Sequence, residues 1–218
     1  MVSILLSFSL RGFTVGTAYA KIETLMTAFF TIMLLGEEIS SQVFFAIIIS
    51  LAGVFILSNS KSGKRLQYIL FSWTDRSALY GLASACLLGL SAVSYRGAAL
   101  SMDANGVLLP AASTLLVALA IQTTMMTAYL ILREKGEISK VWRNRGKGLV
   151  VGLASMLGSV GWFTAMTLQN AAYVRALGQV ELIFTFLTSV LIFRERITKT
   201  EIAGTLLIVG GVLILIVE

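Results

Sequence analysis

Two glutamates lie deep inside very apolar stretches of this chain: Glu23 within AYAKIETLMTAFF and Glu181 within ALGQVELIFTFL. A charge near the middle of a bilayer costs at least ~2.5–3.5 kcal/mol on insertion scales, so such a carboxylate must face a protein interior or water. There it can take up and release a proton, or hold the amine of a substrate; the plainer alternative is a carboxylate neutralised by a neighbouring cation or bonded to another helix. Lys21 precedes Glu23 by two residues, which turns the two to different sides of a helix and prevents pairing as helical neighbours. Thr17, Lys21 and Thr24 share one face, while Tyr19, Glu23 and Thr27 share another. Upstream of Glu181, Arg175 and Gln179 are one turn apart. A cavity with both signs of charge suits zwitterions or anions better than a lipophilic cation, and Trp162 offers a ring on which an aromatic substrate would stack. The candidate set for substrate or proton binding is therefore Glu23, Glu181, Lys21, Gln179, Arg175, Tyr19 and Trp162. Each has a blander reading: Arg175 as a snorkelling cation, and Trp162, like Gln122 and Tyr173, as a packing or helix-bonding group. Arg96 beside Tyr95 reads as an interface anchor, and Glu37 and Glu195 as solvated carboxylates at helix ends.

The two glutamates are 158 positions apart, and the same offset carries Lys21 onto Gln179, Glu37 onto Glu195, Ile39 onto Ile197, Gly53 onto Gly211 and Leu57 onto Leu215. Residues 16–57 thus recur as 174–215. Duplicated apolar segments, each with a carboxylate inside, are the pattern of a membrane transporter built from repeats.

The elements that must hold these residues are membrane helices. The chain is 57% hydrophobic and 13% charged with mean hydropathy +0.88, against about 45–50% and 25% in soluble domains. With no His and a single Cys, neither a disulfide framework nor a Cys/His metal site is expected, and no cofactor. An intramembrane enzyme is disfavoured for the same reasons, together with the absence of a nucleophile beside a base. The net charge of +6 is explained by basic loops rather than by nucleic acid. A span needs about 20 apolar residues. Segments near 14–35, 42–58, 77–97, 106–132, 148–168, 172–193 and 200–217 qualify, seven in all. Small residues at four-residue spacing, such as Gly81, Ala85 and Gly89 or Gly148 and Gly152, suit close helix packing within one chain or in a homodimer.

The expected organisation is 1–58 as the C-terminal part of a first repeat, 59–75 as an interfacial linker and 76–218 as a complete second repeat of five spans. The opening MVSILLSFSL is only half a span, and the offset maps it onto the second half of the helix ending at Leu168. A first repeat of equal length would begin roughly 80 residues before Met1, within a parent of ten helices and about 300 residues. Five spans per repeat make the copies inverted. One set of loops carries fourteen Lys and Arg residues and the other only Arg96 and Arg175. The positive-inside rule then makes the first set cytoplasmic and leaves the C-terminus outside, in a multi-pass protein of the bacterial inner membrane. QYILFSW before Thr74 and KVWRNRGK around Trp142 mix aromatics with cations, as headgroup-level segments do.

At the end of each repeat a Glu inside the fourth helix is followed fourteen residues later by a second Glu and then by a Gly-rich helix: Glu23, Glu37 and Ala52-Gly53 in one, Glu181, Glu195 and Gly210-Gly211 in the other. On these residues 76–218 resembles the EamA-type domain of the drug/metabolite transporter superfamily, and the first 58 residues resemble the tail of another. Many relatives place a proline after the first of those glutamates; Thr24 and Leu182 stand there here, removing the residue that breaks the helix in those proteins. The resemblance implies an all-α, polytopic bundle of inverted five-helix repeats and a secondary transporter, often an exporter of amino acids or other small metabolites, working without ATP. The expected partners are a small-molecule substrate, protons as a coupling ion, the lipid bilayer and a second copy of the chain. A proton-coupled exporter of cationic drugs and a non-transporting membrane scaffold are the alternatives.

Overall fold

The computed structural model describes residues 19–62, 76–102, 106–133, 137–192 and 198–217. Every regular element among them is helical. They are α1 (Glu23–Phe30), continued by a π-helical turn Thr31–Leu35, α2 (Ser41–Ser62), α3 (Arg76–Leu100), α4 (Leu108–Arg133), α5 (Glu137–Arg143), α6 (Arg145–Leu168), α7 (Ala171–Gly178), α8 (Val180–Leu191) and α9 (Lys199–Val217). Four stretches among the described residues are long and apolar enough to cross a membrane: Ala78–Leu100, Leu108–Arg133, Gly148–Leu168 and Lys199–Val217. Glu23–Leu35 and Ser41–Leu57 are shorter apolar helices. The segment QYILFSW lies outside the described residues, as do Thr17, Arg194 and Glu195.

The helices gather into two compact units. One comprises the residues up to Val93 together with those from Asn170 onward; the other is Ser94–Gln169. Both ends of this division fall inside residues 76–218, the segment expected to form the second repeat.

In the first unit α2 and α9, the final helices of the two repeats, lie antiparallel. The Gln42 amide donates to the Ile214 carbonyl at 3.4 Å, Gly211 faces Ala46 and Ser50, and Gly53 faces Gly204 and Ile208. Glycine is required at this seam. A Cβ on Gly53 would stand 2.6 Å from the Gly204 carbonyl oxygen, and one on Gly211 would stand 2.1 Å from Ser50 Oγ and 2.8 Å from the Ala46 carbonyl oxygen. Under the offset of 158, Gly53 against Gly204 becomes Gly211 against Ala46, and Gly53 against Ile208 becomes Gly211 against Ser50. Each contact recurs with the partners exchanged, as a local twofold between inverted copies demands. The starts of the two helices match as well. Ser40 Oγ accepts from Val43 N at 3.3 Å. At the equivalent position Thr198 forms a capping box, its hydroxyl accepting from Glu201 N at 3.3 Å while its own N–H donates to Glu201 Oε2 at 2.9 Å.

The other helices of this unit pack around that pair. Ala28 of α1, Val43 and Ile47 of α2, and Ala172 and Ala176 of α7 form one apolar cluster, with Leu25, Ile39, Tyr173 and Leu215 against it. Gly89 of α3 admits the α1 backbone, since a Cβ there would lie 2.8 Å from Thr27 N. Threonine hydroxyls in the helices are mostly satisfied internally. Thr27, Thr185 and Thr205 each donate to the carbonyl four residues back at 2.7–2.9 Å, which suits segments where water is scarce.

In the second unit α4 and α6 pack against each other. Pro110 occupies the first turn of α4, where its missing N–H has no helical partner to lose. Arg96, near the end of α3, donates through Nη1 to the Met166 carbonyl at 2.8 Å and the Gln169 carbonyl at 2.6 Å. These are carbonyls that the end of α6 leaves without helical partners, so Arg96 acts here as a helix cap. Beside it the Tyr95 and Phe163 rings are 4.5 Å apart. An apolar cavity of about 360 Å³ lies between α4 and α6, lined by residues including Leu108, Leu115, Met156 and Val160. At the α5–α6 junction the Arg145 guanidinium sits 5.6 Å from the Trp142 ring centre, the cation-and-aromatic composition expected of an interfacial segment.

Candidate functional site

Both helices that carry the membrane glutamates are interrupted immediately before them. In the second repeat α7 stops at Gly178, Gln179 forms a turn and α8 restarts at Val180. Two three-residue hydrogen bonds tighten this turn, Gln179 N to Ala176 O at 3.2 Å and Leu182 N to Gln179 O at 3.0 Å. In the first repeat Tyr19 and Ala20 are helical, Lys21 and Ile22 form the turn, and α1 starts at Glu23, with Ile22 N on Tyr19 O at 3.1 Å. Lys21 and Gln179 are equivalent under the offset, so the break recurs at the same place in each copy. It forms without the proline that marks it in many relatives.

The break determines where charge is tolerable. Glu23 lies in the first turn of α1 and Glu181 in the first turn of α8, toward the positive end of each helix dipole. Arg175 lies in the last turn of α7, at a negative end. Glu23, Glu181 and Arg175 therefore each occupy a helix terminus that stabilises their charge.

The ionic partner of each comes from the other repeat. Lys21 Nζ pairs with Glu181 Oε1, with side chains 29% and 58% exposed. Arg175 Nη1 stands 3.5 Å from Glu23 Oε1, with side chains 19% and 17% exposed. Beside these pairs Gln179 Nε2 donates to Thr24 Oγ1 at 3.0 Å in a buried contact. Gln179 is only 4% exposed, and its Oε1 has no hydrogen-bond partner among the described residues. The break thus concentrates two carboxylates, two cations, an amide and a hydroxyl where two repeats meet.

Five of the seven candidate residues come together here: Lys21, Glu23, Arg175, Gln179 and Glu181. Tyr19 packs in an apolar cluster with Ala78, Ile22, Phe55 and Leu82, its ring edge-on to Phe55 at 6.2 Å. Trp162 is on α6 in the second unit. Gln122 is an exposed residue of α4, and Tyr173 packs beside Ala172 and Ala176. Glu37 follows the π-helical turn in the connector before α2 and is half-buried. Thr24 is the member of the cluster that sequence reasoning missed. The available signal was its position on the same helical face as Lys21.

Among the described residues every regular element is helical, four helices are of membrane length and charged residues gather at broken helices, an arrangement that suits a polytopic membrane transporter. A model of the EamA-like transporter family matches residues 76–217, and the chain belongs to that family. Among solved structures, one described as "Crystal structure of protein" superposes with a TM-score of 0.70 over 98% of this chain and 71% of its own length, at 18% sequence identity. That likeness is one of fold. No curated protein matches the chain.

Proposed function

We propose that this chain is a secondary active transporter, working as an exporter, of small zwitterionic metabolites such as amino acids, with the crossed charge cluster at the two helix breaks as its substrate site. The observation that carries the reading is the pairing of carboxylates and cations from opposite repeats at two matched breaks. An element that couples a site to movement of two halves needs contacts that belong to both halves, and each ion pair here joins a residue of one repeat to a residue of the other. A zwitterion offers a carboxylate and an ammonium, the two groups that can replace the partners of Lys21 or Arg175 and of Glu181 or Glu23. Opening one protein pair and closing it on substrate exchanges one set of charge-assisted bonds for another of similar strength, so the site need not leave a bare charge in an apolar surrounding. Alternating access then consists of the repeats rocking about the local twofold while the cluster changes partners. Either carboxylate, on losing its cation, is also placed to take up a proton.

On this reading the protein sits in a bacterial inner membrane with its fourteen basic loop residues cytoplasmic and the C-terminus outside. Proteoliposomes holding the purified protein should move a zwitterionic amino acid down an imposed gradient and ignore a quaternary amine. Flux of the quaternary amine alone would support the cationic-drug alternative, and flux of neither would support the scaffold.

A further inference from the structure

The two breaks are copies, but they are filled differently. In the first, Lys21 carries an ammonium group to the Glu181 carboxylate of the other repeat. Exchange of the repeats turns that pair into Gln179 and Glu23. Gln179 is shorter and neutral, and it bonds instead to Thr24, the neighbour of Glu23. The ammonium that completes the first break has no covalent counterpart in the second.

What remains there is a set of acceptors. Gln179 Oε1 is buried without a partner among the described residues. With Nε2 donating to Thr24, the open end of the amide is its acceptor oxygen. The Glu23 carboxylate has about four acceptor positions, and its contact with Arg175 at 3.5 Å is long for a charge-assisted bond. Gln179 is bonded to Thr24, the residue next to Glu23, and a buried open acceptor with a lightly engaged carboxylate one position away suits N–H donors that carry positive charge.

We propose that the second break binds the primary ammonium group of the substrate between Glu23 and Gln179 Oε1, where it takes the part that Lys21 Nζ plays in the first. This assignment rests on the transport reading for its substrate, and it adds the group recognised and the residues that recognise it. A primary ammonium has three N–H donors to offer. A quaternary ammonium of equal charge has none and would leave both acceptors unbonded, so discrimination should reach at least ~10-fold, well within what an unpaired buried polar group produces.

Thermal unfolding of the detergent-purified chain tests this with propylammonium chloride against tetramethylammonium chloride at matched ionic strength. Propylammonium should raise the melting temperature of the wild-type chain by about 2–4 °C over tetramethylammonium. Gln179→Lys supplies the ammonium covalently, so it should melt above the wild type and no longer respond to propylammonium. Gln179→Met keeps the shape without the acceptor and should also lose the response, which keeps the test decisive if the lysine variant fails to fold. Equal effects of the two salts on the wild type, or a response kept by Gln179→Met, would overturn the assignment. Flux of amino acids in proteoliposomes separates this from the broader reading: a selective shift without any flux leaves the ammonium site standing and removes transport, whereas flux without a selective shift removes the site alone.

Discussion

The break at Lys21–Ile22 and the break at Gln179 are the same turn built twice, and their differences are more informative than their likeness. Both interrupt a helix just before a carboxylate, and both place that carboxylate in the first turn of the restarted helix. The first is completed by a protein cation on a partner that is more than half exposed. The second is tighter: Glu23 and Arg175 are each less than one-fifth exposed, and Gln179 is buried against Thr24. The two turns thus share a geometry, while the difference between Lys21 and Gln179 gives one break a covalent ammonium and leaves the other with an open acceptor. An inverted-repeat transporter gains from such asymmetry, because two identical halves would offer a substrate two equivalent poses.

The comparison is sharpened most by removing a cation from each break. Arg175→Met leaves Glu23 as a largely buried charge without its partner, and a loss of about 3–5 kcal/mol is expected. Lys21→Met strands the more exposed Glu181, and a loss of about 1 kcal/mol or less is expected. Detergent-phase melting curves of the two variants should differ accordingly, and equal destabilisation would erase the proposed difference between the breaks.

Next in size is the seam that joins the repeats. Gly211→Ala puts a methyl group where Ser50 Oγ already stands, and overpacking of about 1–3 kcal/mol is expected. Gly152→Ala, on α6, meets nothing within 4 Å and should leave melting unchanged or slightly raised. Similar shifts for both would mean that α2 and α9 are not held together by this contact.

An effect of similar size is expected in the second unit, where Arg96→Met removes a charged cap from the carbonyls of Met166 and Gln169. A loss of about 1.5–3 kcal/mol at most is expected, from hydrogen bonds to a charged donor. Hydrogen exchange should show faster opening of the last turn of α6, and unaltered protection there would remove the capping role.

Much of this comparison was legible in the chain, for identifiable reasons. Twenty-residue apolar runs announce membrane helices because no other local structure satisfies the backbone in lipid, and α3, α4, α6 and α9 follow them closely. The offset of 158 identified Glu23 with Glu181 and Lys21 with Gln179 before any geometry was known; of the small residues expected at close helix contacts, Gly89 meets α1, whereas Gly148 and Gly152 meet nothing within 4 Å. The breaks were not legible. Gln179 and Lys21 are ordinary helix residues, and no proline marks the turn, so continuous apolar segments read as continuous helices. Nor was the crossed pairing legible: helical periodicity shows that Lys21 and Glu23 diverge, but it contains no information on which residue of a helix 160 positions away will meet them. Tyr19 illustrates the limit of face arguments. It shares a helical face with Glu23 on a continuous helix, yet with a turn between them its ring packs edge-on to Phe55 in an apolar cluster. The role of Arg96 depended in the same way on a contact 70 residues distant.

The most direct test of the account is substrate flux in proteoliposomes for Glu23→Gln and Glu181→Gln, each confirmed as folded by its melting curve. A site built from both breaks predicts that either substitution alone reduces amino-acid flux by at least ~10-fold, the loss that follows from removing one charged partner of a substrate. Flux equal to wild type in both folded variants would contradict it.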